Sequence, residues 1–305
     1  MATTKQIYTY VASLLIVSWI AQLPAIFFTE GVYSEDARIW LALTMVSPAM
    51  VTFFFLKMNK DLRGQLLWKP NSQIFITSFL AVLIPILLAF SVLIAVQTFG
   101  YGQSEWFSFS DSGVNIKGGP FFLGKADQSW LVFFSNVFIT GAAFALLKAC
   151  IASGEEVAWR GLVQPLLVDK LGFLKGICLL GFIWSMFHLP ILLNGYNYPE
   201  NPILGSFILF PIRLIAASYF YAWLTLKSKS FIPAAIAHGA GNGIQQAIVS
   251  KIEELFSELD KGIEDLKTAH QQLKTYRQSV LKYAFEGRLT NENVKDGALP
   301  KGWES

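Results

Sequence analysis

Three polar islands interrupt an otherwise apolar chain, and they carry the side chains that hydrolytic chemistry needs. The first is Gly154-Glu155-Glu156-Val157-Ala158-Trp159-Arg160-Gly161. The second is His188, inside Trp184-Ser185-Met186-Phe187-His188-Leu189-Pro190, and the third is His238-Gly239-Ala240-Gly241-Asn242. If residues 155–167 are helical, Glu156 and Arg160 stand four apart in the favourable acid-before-base order and neutralise one another. Glu155 is then left over. It sits about 100° around the helix from its neighbour, free to face a cavity as a general base that takes a proton from water and later donates it. His238 and Asn242 are also four apart, on one helical face, and offer ring nitrogens and an amide N–H to a developing oxyanion. His188 is placed to orient, or share, a water held by Glu155. Each island also has a plainer reading: a solvated helix start, an interhelical hydrogen bond, or close packing of small residues at Gly239 and Gly241. The chain has only three histidines, and two of them fall in apolar spans beside the acid pair, so one shared site is the economical account.

A titratable side chain at bilayer depth costs about 2.5–3.5 kcal/mol on the insertion scale, so the elements around these islands matter. Of 305 residues, 53% are hydrophobic and only 15% charged, with a mean hydropathy of +0.46. That excludes an ordinary soluble globule, which carries about a quarter charged residues, and a disordered chain. A net charge of +3 from 24 basic and 21 acidic residues is too balanced to imply a nucleic-acid partner. Cys150 and Cys178 lie in apolar runs without CxxC spacing, so neither a disulfide framework nor a thiolate metal site is indicated. Seven apolar stretches reach the length needed to cross the hydrocarbon: Ile7 to Phe28, Ile39 to Leu56, Ile74 to Thr98, Trp130 to Ala152, Leu174 to Leu193, Leu204 to Leu226 and Phe231 to Val249. The first is longer than a signal-peptide core and ends in Phe27-Phe28-Thr29-Glu30, so it reads as a retained helix. Lys57, Lys60, Arg63 and Lys69 in one loop, and Lys227 and Lys229 in another, predict cytoplasmic loops and an N-in arrangement. Arg213, in the sixth span, is expected to snorkel or to partner a polar group. The expected fold is all-α: a polytopic transmembrane helix bundle of about seven spans followed by a short C-terminal coiled-coil-like helix, in a multi-pass membrane protein of the prokaryotic inner membrane.

The ordered set Glu155-Glu156-x-x-x-Arg160, an aromatic residue four before His188, and His238-x-x-x-Asn242 resembles the CPBP family. These are the CAAX prenyl endopeptidase and bacteriocin-processing intramembrane proteases, also called the Abi family. The resemblance covers Leu131 to Val249. It implies that Glu155 and His188 activate the attacking water, that His238 and Asn242 form the oxyanion site, and that Glu156 and Arg160 support the motif. Trp184 stands where the family more often has Phe, a departure expected to change packing and not chemistry. No cofactor is assigned. Glu155, His188 and His238 would make a His2Glu zinc set, yet HExxH is absent and the family has also been read as metal-free glutamate peptidases, so a zinc ion stays an open alternative. The implied activity is an intramembrane endopeptidase cleaving near the C-terminus of a lipidated or membrane-associated peptide or protein within the bilayer. Two alternatives stand beside it: a non-catalytic polytopic immunity or scaffold protein, and a proton-coupled transporter.

Beyond residue 250 the chain changes character, and the last 56 residues hold 19 of the 45 charged residues. This divides it into N-terminal membrane helices (1–128), a protease-like core (129–249) and a soluble helical tail (250–305). In the tail, Ile252, Phe256, Leu259, Ile263, Leu266, Leu273 and Val280 follow 3-4 spacing, with His270 and Arg277 at inner positions. An amphipathic helix lying on protein or lipid is the alternative to a coiled coil. The stretch from Glu254 to Thr290 resembles the coiled-coil conserved region of type I restriction-modification specificity subunits. The nine basic and ten acidic residues of the whole tail, 250–305, argue against phosphate binding, and self-association through this helix is the expected partner mode. Seven spans with the N-terminus inside would place the tail outside the cytoplasm, which points to a re-entrant last segment or, preferably, a fusion at about residue 250.

Overall fold

A computed structural model describes residues 2–99, 107–116 and 126–285. The expected irregular end, Asn291 to Ser305, and part of the Gly100 to Gln128 loop lie outside the described residues. The chain forms two compact units, Met1–Gln246 and Ala247–Ser305.

The first unit is a helical bundle. Helix α1 (Thr4–Phe27) starts at a capping box in which the Thr3 hydroxyl and the Gln6 side chain satisfy each other's backbone N–H groups. Ser34 caps α2 (Glu35–Thr44), whose first turn carries Glu35 and Asp36, the charge that a helix N-terminus favours. Helices α3 (Ser47–Met58) and α4 (Gln73–Thr98) follow. A three-stranded antiparallel sheet in the order β1-β2-β3 (Phe107–Ser110, Gly113–Ile116, Asp127–Ser129) connects to α5 (Trp130–Ala158). Val114 and Ile116 of β2 bury against Phe133 of α5. Then come α6 (Gln164–Leu171), α7 (Phe173–Phe187), α8 (Leu189–Leu193), α9 (Pro202–Leu204), α10 (Phe210–Ser228) and the start of α11 (Ile232–Phe285). Gly172, at φ +75°, makes the turn between α6 and α7 in a backbone conformation that side chains disfavour. Lys229 ends α10 in the left-handed region.

Helix α7 packs on α6 and α10, α3 on α5, and α1 on both α2 and α3. Trp159, Leu162, Leu166, Ile177, Leu180 and Leu224 lie in one buried core. Large apolar residues such as Ile20, Phe53, Phe75, Leu147 and Ile212 are exposed on the outside, as hydrocarbon contact requires. The protein is an all-α, multi-pass integral membrane protein. Among the described residues, five helical stretches are long and apolar enough to cross a membrane: Thr4–Phe27, Glu35–Met58, Gln73–Val92, Trp130–Leu171 and Pro202–Ser228. Two of the seven expected spans take a different form. Leu174 to Leu193 is parted at His188 into the 15-residue α7 and the short α8, and Phe231 to Val249 leads into α11. Arg213 is exposed, with its guanidinium 5.8 Å from the Phe210 ring centroid.

In the second unit, the residues 261–285 of α11 are helical, and Leu266, Leu273 and Tyr276 are exposed there.

Candidate active site

The acid pair sits where a long helix is locked and then distorted. At Gly154 an added Cβ would stand 2.4 Å from the Met45 carbonyl oxygen, so α5 touches the junction of α2 and α3 backbone to backbone. Immediately after α5 the chain makes a π turn, Trp159–Val163, before resuming as α6. Such single-turn π segments inside helices concentrate at functional sites. The Gly161 carbonyl in this turn accepts the Leu67 N–H at 2.9 Å, and the Leu67 carbonyl accepts the Phe231 N–H at 2.9 Å. The loop after α3 therefore ties the distorted turn to the start of α11.

Inside this frame the acids take separate partners. Glu156 and Arg160, both 0% exposed, form the expected pair, with Arg160 Nη1 3.1 Å from the carboxylate. The same carboxylate also meets His238 Nδ1 at 2.9 Å. Arg160 is held from the far side as well: Nη2 donates to Ser218 Oγ at 3.1 Å, and the guanidinium lies 4.1 Å from the Trp184 ring centroid and 4.9 Å from that of Tyr221. Cationic stacking of this kind suits a planar guanidinium better than a lysine ammonium. Glu155, 1% exposed, forms no ion pair among the described residues. Its Oε2 accepts the Trp184 indole N–H at 2.8 Å and the Trp159 indole N–H at 3.3 Å. Among the described residues Oε1 takes no donor, and it is not one of the fully enclosed, unsatisfied buried atoms.

Trp184 is the hub of the cluster. Besides its bond to Glu155, its backbone carbonyl accepts the His188 Nδ1–H at 3.0 Å. A carbonyl can only accept, so this contact fixes the His188 tautomer and leaves Nε2 with a lone pair. The His188 ring packs edge to face on Phe187 and Phe210, at 4.6 and 5.0 Å between centroids. The Trp184 ring is 5.3 Å from that of His238. The expectation that Trp184 changes packing alone is corrected by its N–H, which reaches the Glu155 carboxylate. Trp184→Phe deletes the shorter of the two indole N–H bonds to Glu155 and is accordingly expected to lower Tm in detergent, a moderate loss because Trp159 remains as a donor.

His238 is placed by a tight helix contact. A Cβ on Gly239 would lie 2.5 Å from the Ala145 carbonyl oxygen and 2.6 Å from the Ala149 N, so α11 rests directly on α5 there. Gly239→Ala should force the two helices apart. Overpacking of this kind costs about 1–3 kcal/mol, and a lower Tm in detergent, with the protein still inserted, is the expected result for the variant. Asn242 lies one turn beyond His238, half-buried, and makes no hydrogen bond among the described residues. Glu155, Arg160, His188 and His238 thus gather around Trp184, Glu156 joins them through Arg160 and His238, and Asn242 is placed only by lying one turn beyond His238. Trp159, Trp184, Ser218 and Tyr221 join them without having been candidates. The aromatic residues four after Glu155 and four before His188 were a signal for the first two, whereas Ser218 and Tyr221 had none.

The zinc alternative does not fit this arrangement. Among the described residues, no three His, Cys, Asp or Glu side chains lie close enough to share an ion.

Fold and site together define a polytopic helical membrane protein with a buried acid and histidine cluster at a distorted helix. Residues 128–244 match the family described as Type II CAAX prenyl endopeptidase Rce1-like, the kind of family that the motifs of this segment resemble. A CAAX prenyl protease 2 from Methanococcus maripaludis is 32% identical over 109 residues, which cover 34% of this chain and 39% of that relative.

Proposed function

We propose that the chain is an intramembrane endopeptidase of the CAAX-processing type, in which Glu155 and His188 activate a water that attacks an amide near the C-terminus of a lipidated or membrane-associated substrate. One observation supports this most: Glu155 is a buried carboxylate pinned through Oε2 by two indoles, with Oε1 left to a ligand.

Oε1 of Glu155 accepts a proton from the water, while His188 Nε2 takes the water's other hydrogen bond and aligns a lone pair on the scissile carbon. The resulting oxyanion is met by Asn242 Nδ2–H and by His238 Nε2–H. Donating through both ring nitrogens, Nδ1 to Glu156 and Nε2 to the oxyanion, is the role this reading gives His238. Collapse of the tetrahedral intermediate breaks the C–N bond, and Glu155 returns the proton to the leaving amine. No step uses a metal.

Cleavage of farnesylated C-terminal peptides and of leader peptides in detergent, with and without chelator, tests the proposal. Product from a lipidated peptide at the same rate in chelator is expected. No product from any peptide, with the protein folded, would favour a scaffold, and loss of activity in chelator would restore the zinc alternative.

A further inference from the structure

We infer that Trp19 and Gln22 of α1, outside the family-matched segment, are positioning residues for His188. The chain parts at His188 between α7 and α8, and Pro190, in the first turn of α8, has no N–H. It therefore cannot serve the carbonyl four residues back, that of Met186. That carbonyl instead accepts the Trp19 indole N–H at 2.8 Å, and the next carbonyl, Phe187, accepts the Gln22 amide at 2.7 Å. Gln22 is 1% exposed, and in hydrocarbon no water replaces a missing donor. Helix α1 is itself held at this level: Thr44 Oγ1 donates to the Ala21 carbonyl at 3.0 Å, and Ser18 and Ser47 hydroxyls meet at 2.9 Å.

The two donors act on the turn that orients the imidazole. The His188 backbone N–H turns to Ser185 O at 3.1 Å, with Met186 O also in its reach, and this leaves the Trp184 carbonyl for His188 Nδ1–H at 3.0 Å. Carbonyls 186 and 187 lie within that same turn. Without their donors, the turn gains by relaxing toward a regular helix or by tilting its carbonyls, and the Trp184 carbonyl no longer defines the ring. Donors that orient a functional side chain through its neighbours are worth about 10- to 100-fold in function. The kinetic consequence rests on the catalytic reading of His188, and the tautomer does not.

The experiment compares full-length protein labelled with nitrogen-15 at its imidazoles, in detergent micelles, where three histidines give three resolvable pairs of signals. In wild type, His188 should be a single Nδ1–H tautomer. In the Trp19→Phe and Gln22→Leu double variant it should become a mixture, with the His238 signals unchanged. On a cleavable peptide, kcat should fall about 10- to 100-fold with KM within about twofold. A wild-type His188 spectrum in the double variant would overturn the inference. If the double variant fails to fold, Trp19→Phe decides by the same spectrum, since it keeps a ring and loses the N–H. If wild type cleaves nothing, the proposed activity fails, and the tautomer comparison still decides this inference.

Discussion

Glu155→Gln is expected to abolish cleavage, lowering kcat by at least about a thousandfold, the scale of a lost general base that also returns the proton. The amide keeps the size of the carboxyl and can still accept the Trp184 and Trp159 N–H groups through its oxygen, so insertion and thermal stability should be retained. What it cannot do is take a proton from water. Glu156→Gln makes the control for position. That residue carries the pairing with Arg160 and His238, so its loss should appear in stability as well as in rate. A Glu155→Gln protein that cleaves at the wild-type rate would show that the base lies elsewhere.

Arg160→Met should cause the largest loss of stability. The guanidinium is fully buried and answers the Glu156 carboxylate, which has no other permanent cation. Removing one partner of a buried pair leaves an uncompensated charge and costs about 3–5 kcal/mol. Thermal unfolding in detergent should show it as a clear drop in Tm. Combining Arg160→Met with Glu156→Gln should recover much of that loss, because the stranded charge is gone. Arg160→Lys should recover less, since an ammonium cannot reach both Glu156 and Ser218 while lying flat on Trp184 and Tyr221. An unchanged Tm in the single variant would mean that the pair is dispensable.

Much of this was legible because charge in an apolar chain is costly. Glu155, Glu156, Arg160, His188 and His238 stood out by type alone, and four-residue spacing gave the Glu156 and Arg160 pair. The bundle followed from the length of the apolar runs. The partners of these groups were hidden for physical reasons. Trp19, Trp159, Trp184 and Gln22 carry one N–H donor each into the cluster but no charge, so in an apolar run they read as packing. Their contacts also span long separations: Trp19 and Met186 are 167 positions apart. The π turn at Trp159–Val163 inserts one residue's worth of turn without a sequence mark, and the break at His188 depends on a proline that a hydropathy window averages away. The bond from His238 to Glu156, the neighbour of the expected base, comes from how α11 lies on α5 at Gly239, which spacing within one helix does not reveal.

The most direct measurement is a single turnover on a farnesylated peptide in water enriched in heavy oxygen, with the new carboxyl group read by mass spectrometry. Direct attack by a Glu155-activated water predicts that the first-turnover product from wild type carries the label, and that Glu155→Gln gives no product. An unlabelled first-turnover carboxyl would mean that an enzyme oxygen attacks the amide, and would contradict the account.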